Sequence, residues 1–596
     1  MFQSFEVTSR PEQGPPRLAL LRAQMRERGL DGFLVPRADA HQGEYVADHD
    51  ARLAWLTGFT GSAGFCAALR DVAGVFVDGR YRTQVKAQVA PDYTPVPWPE
   101  TSLPEWLIRH LPGGGRVGFD PWLHTVAEVE RWGLALAGSG IQMEQSNNLV
   151  DRIWADQPPP PMRPVKAHPI EFAGETASSK CQRLAGDLRA AGHRAAVITL
   201  PDSIMWLLNI RGSDIARNPV AHGFAVLHDD GRVDLFMEGS KLTSLRGHLD
   251  ESVTIRPPET FLETIAALPG PVRIEKSSAP QKLADVLGMA AVFGDDPCAL
   301  PKARKNRAEI DGSAAAHLRD GAAMVELLAW LDAQPVGGLS EIAVVKQLEE
   351  IRRRDNALQD ISFDTISGTG PNGAIMHYRV SEETDSVLQE GHLLVLDSGG
   401  QYLDGTTDIT RTIAIGAPGQ EERAAFTRVL QGMIAMSRLR WPRGLAGRDI
   451  EAVGRMPLWL AGQDFNHGLG HGVGAYLSVH EGPQRLSRMS MVPLESGMIL
   501  SNEPGYYREG VFGIRIENLL VVQDATTPPG GDAEREMLCW KTLTFVPIDR
   551  RLIVTDMLSR DERRWLNAYH GEVREKIAPR VGKSAQMWLD AATAPI

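Results

Sequence analysis

Between Asp156 and Pro169 the chain reads DQPPPPMRPVKAHP, and no regular element can run through it. Proline has no backbone N–H, clashes with the preceding turn of a helix, and removes a ladder bond from a central strand. The stretch therefore predicts a semi-rigid linker. A second break falls at GDDPCALPKARKNRAEIDG, Gly294 to Gly312, where a proline-bounded turn gives way to a charged helix start. At 596 residues the chain exceeds the length of about 250 to 300 at which single cores stop growing. The two breaks divide it into 1–160, 161–303 and 304–596, each of ordinary domain size.

The first two segments repeat one scheme. RLALLRAQMRERGLDGFLVP sets Leu18, Leu21 and Met25 at helical spacing before an apolar strand, Gly32 to Val35. KCQRLAGDLRAAGHRAAVITLPD sets Leu184 and Leu188 on a helix before a strand from Ala195 to Leu200. Each copy then reaches a Trp-Leu pair, Trp55-Leu56 and Trp206-Leu207, which suggests a duplicated α/β module. The third segment opens with helical patterns and, from Ile361 onward, passes to short β-rich runs between glycine-rich turns. Helices first and strands later predict an α+β fold.

Composition narrows the function classes. No run reaches the roughly 18 apolar residues of a membrane span, and MFQSFEVTSRPEQ lacks the basic start and apolar core of a secretory signal. A cytoplasmic protein with no membrane partner is expected. A net charge of −12 argues against nucleic acid as a partner. Cys66, Cys181, Cys298 and Cys539 form no CxxC pair, so buried thiols are expected rather than a disulfide framework or a zinc ribbon.

A literal GxGxxG occurs at GTGPNG, Gly368 to Gly373. Pro371 and the following AIMHYRV read as turn and strand, so the helix N-terminus that would hold a pyrophosphate is missing. Acidic residues along strands give a stronger signal. HLLVLDSGGQYLDGTTDITRTIAIG puts Asp397 at the end of one apolar strand and Asp408 on the next, and a hairpin of that length can bring both carboxylates to one end of one face. ILSNEPGYY sets Glu503 after an apolar run, and GIRIENLLVV sets Glu517 in an otherwise buried strand. An ionised carboxylate there needs a cation or hydrogen bonds. Arg515, on the same face by alternation, could be its ion-pair partner, although this would leave Asp397, Asp408 and Glu503 unexplained. In NHGLGHGVG, glycines flanking His471 let the backbone crowd close to a ligand or another strand. Four carboxylates and one imidazole suffice for two divalent ions, and their hardness favours Mn, Fe or Co over a thiolate-rich zinc site.

The order LDSG, TTDITRT, HGLGHGVG, SNEPGYY and RIEN resembles the pita-bread metallopeptidases, the fold shared by methionine aminopeptidase, prolidase and aminopeptidase P. VPRADAHQGEYV, LTGFTGSAGF, DGRYRTQ, DRIWADQPPPP and CWKTLTFVPIDRRLI extend the likeness to the long, three-domain Xaa-Pro aminopeptidases. The resemblance implies two creatinase-like α/β domains followed by a pita-bread α+β catalytic domain with a C-terminal extension. It implies that Asp397, Asp408, His471, Glu503 and Glu517 ligate two metal ions, foremost Mn2+, with Co2+, Fe2+ or Zn2+ also open, and that Asp408 and Glu517 bridge them. The implied reaction is hydrolysis of the first bond of peptides with proline at the second position, by attack of a hydroxide held between the metals. Glu503 would act as proton acceptor, and His377 and His480 would bind substrate and assist proton movement. His467, Tyr507 and Arg515 match further substrate-binding positions, and a homodimer is expected. A dipeptide-only prolidase and a non-catalytic binding module are the alternatives; the extra N-terminal domain argues against the first and the complete ligand set against the second.

Overall fold

A computed structural model describes residues 1–245 and 247–596, which fall into two compact units. The first comprises Thr8–Ile170 and Glu175–Ala299, and the second Leu300–Ile596 together with Met1–Val7 and Glu171–Gly174.

The first unit contains the repeated module. In one copy α1 (Gly14–Arg28) leads to β1 (Gly32–Pro36), α2 (Arg52–Thr57), β2 (Phe65–Leu69), β3 (Ala73–Val77), β4 (Thr94–Pro97), β5 (Gly115–Phe119) and β6 (Ile141–Gln145). In the other, α3 (Ala177–Ala190) leads to β7 (Ala195–Ile198), α4 (Pro201–Leu207), β8 (Phe224–His228), β9 (Val233–Phe236), β10 (Val253–Arg256), β11 (Val272–Ile274) and β12 (Ala291–Phe293). The sheets run β4-β3-β2-β1-β5-β6 and β10-β9-β8-β7-β11-β12, with the same parallel and antiparallel pairings at corresponding positions. β1 and β7 are buried along their whole length, as central strands covered on both faces must be. Leu18, Leu21 and Met25 form the buried stripe of α1, and Leu184 and Leu188 that of α3.

The second unit begins at α5 (Arg307–Asp332), whose N-terminus is closed by a capping box between Asn306 and Glu309. After α6 (Glu341–Arg352) comes an antiparallel three-stranded sheet of β13 (Ile366–Thr369), β14 (Leu393–Ser398) and β15 (Ile409–Ala414), with β14 in the centre. The helix α7 (Gln420–Ser437) precedes a six-stranded sheet built from β16 (Arg440–Pro442), β17 (Gly470–Gly472), β18 (Glu481–Leu486), β19 (Ile499–Asn502), β22 (Asn518–Asp524) and β23 (Met537–Thr542), in the order β16-β23-β22-β19-β17-β18. Between β19 and β22 a hairpin pairs β20 (Gly505–Arg508) with β21 (Phe512–Arg515). The main core of this unit gathers Phe426, Met433, Trp441, Leu469, Leu500 and Leu520 from α7 and the large sheet. Met1–Val7 pack here rather than with the module that follows them in sequence. Phe2 donates its N–H to Glu349 at 2.7 Å, and Gln3 exchanges hydrogen bonds with the backbone of Thr365.

Two details differ from the sequence reading. Residues 370–374 form a 3-10 turn, and no strand follows over AIMHYRV. The region expected as strands and turns also contains α7, whose Phe426, Val429, Leu430, Met433 and Ile434 are buried at helical spacing. Among the described residues, no helix is long and apolar enough to cross a membrane.

Candidate metal centre

Sheet ends bring the acidic residues together. Asp397 lies near the end of β14 opposite Thr410 of β15, and Asp408 immediately precedes β15 rather than lying on it. His471 is the middle residue of β17, Glu503 follows β19, and Glu517 sits in the two-residue break between β21 and β22. The Glu517 N–H donates to the Thr410 carbonyl at 3.1 Å, so the small sheet is tied to the large one where the carboxylates meet. Arg411, whose side chain is fully buried, completes this junction. It donates to the carbonyls of Thr410, Glu517, Val546 and Pro547 at 2.6 to 3.0 Å, to Asn518 Oδ1 at 2.8 Å and to the Tyr569 hydroxyl at 3.0 Å. Nothing local in TTDITRT marks Arg411 and Thr410 as site residues, although the motif contains both. Strand alternation puts Thr410 on the Asp408 face and Arg411 on the opposite one.

Glycine gives His471 its place. A Cβ on Gly470 would lie 1.9 Å from the Ser501 carbonyl oxygen, and one on Gly472 would lie 2.5 Å from that of Glu481, so only glycine on either side admits this strand. His471 Nδ1 faces the Gly472 carbonyl at 2.9 Å. With the proton assigned there, Nε2 carries the lone pair, and it is turned toward Asp408 Oδ2 at 3.5 Å and Glu503 Oε1 at 3.4 Å. Ser501 receives the His471 N–H at 2.9 Å and donates to Glu503 Oε1 at 3.1 Å.

Ligand atoms of Asp408, His471 and Glu517 lie within 4.8 Å of one another. Glu517 does not pair with Arg515. Its Oε2 accepts from the Thr410 hydroxyl at 2.8 Å, while its buried Oε1 has no hydrogen-bond partner. Arg515 instead donates to Asp397 Oδ2 at 2.6 and 3.2 Å, leaving Asp397 Oδ1 buried without a hydrogen-bond partner. Two orphaned carboxylate oxygens, one of them on Glu517 in the group with the His471 imidazole, suit divalent cations, because a buried anionic oxygen otherwise loses its hydration without compensation.

Electrostatics agree with the geometry. Burial, followed by the neighbouring carboxylates, holds the carboxyls of Asp408 and Glu517 well above the usual range, and burial with Asp408 nearby raises that of Glu503. Without metal, the folded chain keeps protons that the unfolded chain releases. The stability from these groups is present below the ordinary carboxylate pKa and is lost as pH rises through the elevated values. Cation binding displaces the same protons. The rise in melting temperature on adding a divalent cation to chelated protein should therefore grow from acid to neutral pH. A rise independent of pH would remove these carboxyls from the binding site.

The remaining candidates surround this cluster unevenly. The His480 ring stands edge-on to that of His471, with centroids 4.3 Å apart. The next residue, Glu481, is buried in an ion cluster with Lys302 and Lys305. His467 Nε2 lies 3.0 Å from the Tyr507 hydroxyl, which also accepts from Arg515 at 2.6 Å, so one chain of hydrogen bonds joins His467, Tyr507, Arg515 and Asp397. Burial pushes the Tyr507 phenol up to about 12, and it stays protonated as a donor to His467. Arg515 is itself buried, with its guanidinium held by Asp397, Thr410 and Tyr507. His377 is half-buried in the segment after the 370–374 turn. That turn lies against the strand carrying Arg515, since a Cβ on Gly513 would be 1.7 Å from the Gly373 carbonyl oxygen.

Comparison with known proteins adds the following. Residues 312–524 match the family model described as metallopeptidase family M24, residues 536–596 match its C-terminal region, and 17–153 and 156–309 each match a creatinase/prolidase N-terminal domain. Aminopeptidase P2 of Arabidopsis thaliana is 38% identical over 95% of this chain and 86% of its own length. A Talaromyces marneffei protein named "Probable Xaa-Pro aminopeptidase P" is also 38% identical, over 97% of this chain and 92% of its own. Among solved structures, the X-prolyl aminopeptidase of Caenorhabditis elegans, described as a cytosolic enzyme with a di-nuclear active site, superposes with a TM-score of 0.93 at 33% identity, covering 98% of this chain and all of that one.

Proposed function

Because the chain belongs to metallopeptidase family M24, with two creatinase/prolidase N-terminal domains before the catalytic part, we propose that it is a metal-dependent aminopeptidase removing the first residue from peptides whose second residue is proline. The observation that carries this reading is a carboxylate–imidazole cluster inside a chain whose relatives, over nearly its full length, bear the names aminopeptidase P2 and probable Xaa-Pro aminopeptidase P. Asp397, Asp408, His471, Glu503 and Glu517 would hold the two divalent ions, with Asp408 and Glu517 as the proposed shared ligands. Manganese is the proposed occupant, on the hardness of the donors. When bound, such ions polarise the scissile carbonyl and make water a nucleophile at neutral pH.

The chain's own residues do the rest. Glu503, half-buried beside the cluster and raised in pKa, takes the proton of the attacking water and passes it to the departing prolyl nitrogen. His480 and His377 hold the scissile carbonyl and the proline end, and steady the charge on the carbonyl oxygen. Arg515 acts as a positioning residue, fixing the Asp397 carboxylate and, through Tyr507, the His467 ring. A prolyl nitrogen offers no N–H, so recognition rests on its ring and on these side chains.

The working domains are 1–160, 161–303 and 304–596. A homodimer in the cytoplasm is proposed. Exposed Met456, Trp459, Leu460, Met489 and Met491 support self-association, and the C. elegans enzyme is described as cytosolic. The test is initial rates on Xaa-Pro-Yyy tripeptides, Xaa-Pro dipeptides and Xaa-Ala-Yyy controls, with chelated enzyme before and after manganese is restored. Metal-dependent release of the first residue from proline tripeptides alone is expected. Cleavage of dipeptides only would make the chain a prolidase, and no cleavage by metal-loaded protein would favour a binding module.

A further inference from the structure

The first unit holds a second group of potential ligands, which shares no residue with the cluster around Glu517. Asp39 and His41 lie in the loop after β1, Asp50 ends the 3-10 turn Asp48–Asp50 before α2, and His222 lies two residues before β8 of the second module. Donor atoms of Asp39, Asp50 and His222 lie within 4.8 Å of one another.

The arrangement points to a ligand. Asp39 is only 2% exposed, and its two oxygens have different surroundings. Oδ1 accepts the His41 N–H at 2.8 Å in a local turn. Oδ2 is buried with no hydrogen-bond partner, although His222 Nε2 is only 3.2 Å away. Close approach without hydrogen-bond alignment is the geometry of two donors directed at a common third atom. Ligand atoms about 2.0 to 2.2 Å from a tetrahedral ion stand about 3.3 Å apart, close to this separation.

Charge agrees. The groups in contact here are the carboxylates of Asp39, Asp50, Asp151 and Asp214 and the cations Arg52 and Lys241. Arg52 bridges Asp50 at 2.8 Å and Asp151 at 2.6 Å, and Lys241 pairs with Asp214, whose Oδ2 receives the His222 N–H at 2.8 Å. These four carboxylates outnumber the two cations by two. His41 is buried beside this group. Its ring packs 4.5 Å from those of His222 and Phe224, and its Nδ1 lies 3.2 Å from the Thr199 carbonyl.

We infer that Asp39, Asp50 and His222 form a second, structural site for a divalent first-row transition cation, which ties the Asp39–Asp50 segment of the first module to the start of β8 in the second. One imidazole and two carboxylates suit zinc, cobalt or manganese better than copper or calcium. Water would complete the coordination, since the His222 side chain keeps 15% of its exposure.

The test uses the full chain and Zn2+ alone. Wild type, Asp39→Asn and His222→Gln are dialysed against one buffered free-zinc concentration and their zinc counted by mass spectrometry. Crystals of the wild type soaked in zinc are measured on both sides of the zinc absorption edge. The expected result is one zinc more per chain in the wild type than in either variant, with an anomalous peak between Asp39 Oδ2 and His222 Nε2. Losing a direct ligand should weaken binding by more than the about 10- to 100-fold typical of losing an outer-shell partner. Equal zinc counts in all three proteins, or a wild-type crystal with no peak there, would overturn the site and leave Asp39 and His222 as a buried ion pair. The crystal measurement decides the matter even if a variant fails to fold.

Discussion

Glu517→Gln should fold, lose divalent metal from the cluster and lose nearly all peptidase activity. Glu517 stands within 4.8 Å of both Asp408 and His471, with one oxygen given to Thr410 and the other lacking a hydrogen-bond partner. Its replacement removes one of the two proposed shared ligands. Metal polarisation contributes several kcal/mol to such reactions, and about 1.4 kcal/mol corresponds to a factor of ten, so kcat/KM should fall by about 10³- to 10⁴-fold. Stability separates this outcome from simple unfolding. In chelated protein the variant relieves the crowding that raises the carboxyls of Asp408, Glu503 and Glu517, so at neutral pH it should melt no lower than chelated wild type. Added manganese should then raise the wild-type melting temperature and leave the variant almost unmoved. A variant that retains two ions and full turnover would remove Glu517 from the centre. Asp408→Ala should lose metal and activity in the same way.

The group of Asp408, His471 and Glu517 was legible because each lies inside a short motif whose order is distinctive. Their partners were harder to read. Alternation placed Arg515 and Glu517 on one face, but β21 ends at Arg515 and β22 begins at Asn518. The intervening break lets Glu517 turn to Thr410 while Arg515, on the hairpin, reaches Asp397 of the three-stranded sheet. A contact between residues more than a hundred positions apart leaves no local trace in the sequence. Arg411 was missed for a related reason: its buried guanidinium is satisfied largely by backbone carbonyls, which every sequence possesses.

The duplicated module was visible in its helix-strand openings, where Leu18, Leu21 and Met25 answer to Leu184 and Leu188. The shared strand order was not, since it depends on pairings between separated strands. In the second unit, expectation leaned on glycine-rich turns and overlooked the regular spacing of Phe426, Val429, Leu430, Met433 and Ile434 that makes α7 a buried helix. AIMHYRV alternates weakly enough to suggest a strand, yet Gly373 packs its carbonyl against Gly513 and the chain leaves the turn without joining the ladder. His377 is therefore placed by a close backbone contact rather than by strand pairing.

His480→Ala should give the opposite signature to Glu517→Gln, with metal retained and rate lost. The ring stands edge-on to that of His471, close enough to face a substrate bound there, but it is not among the grouped donor atoms. Its backbone is held firmly, because Glu481 is locked between two buried lysines, so truncation at His480 should not disturb the strand that follows. A side chain that stabilises developing charge or moves a proton contributes about 10²- to 10⁴-fold. The expected loss is therefore in kcat, with KM for proline tripeptides changing less and two ions per chain still present. Loss of metal in proportion to rate would make His480 a support of the ligand shell, and an unchanged kcat would place it outside the reaction. The comparison of the two variants thus separates holding the metal from acting on the substrate, although the two histidine rings lie only 4.3 Å apart.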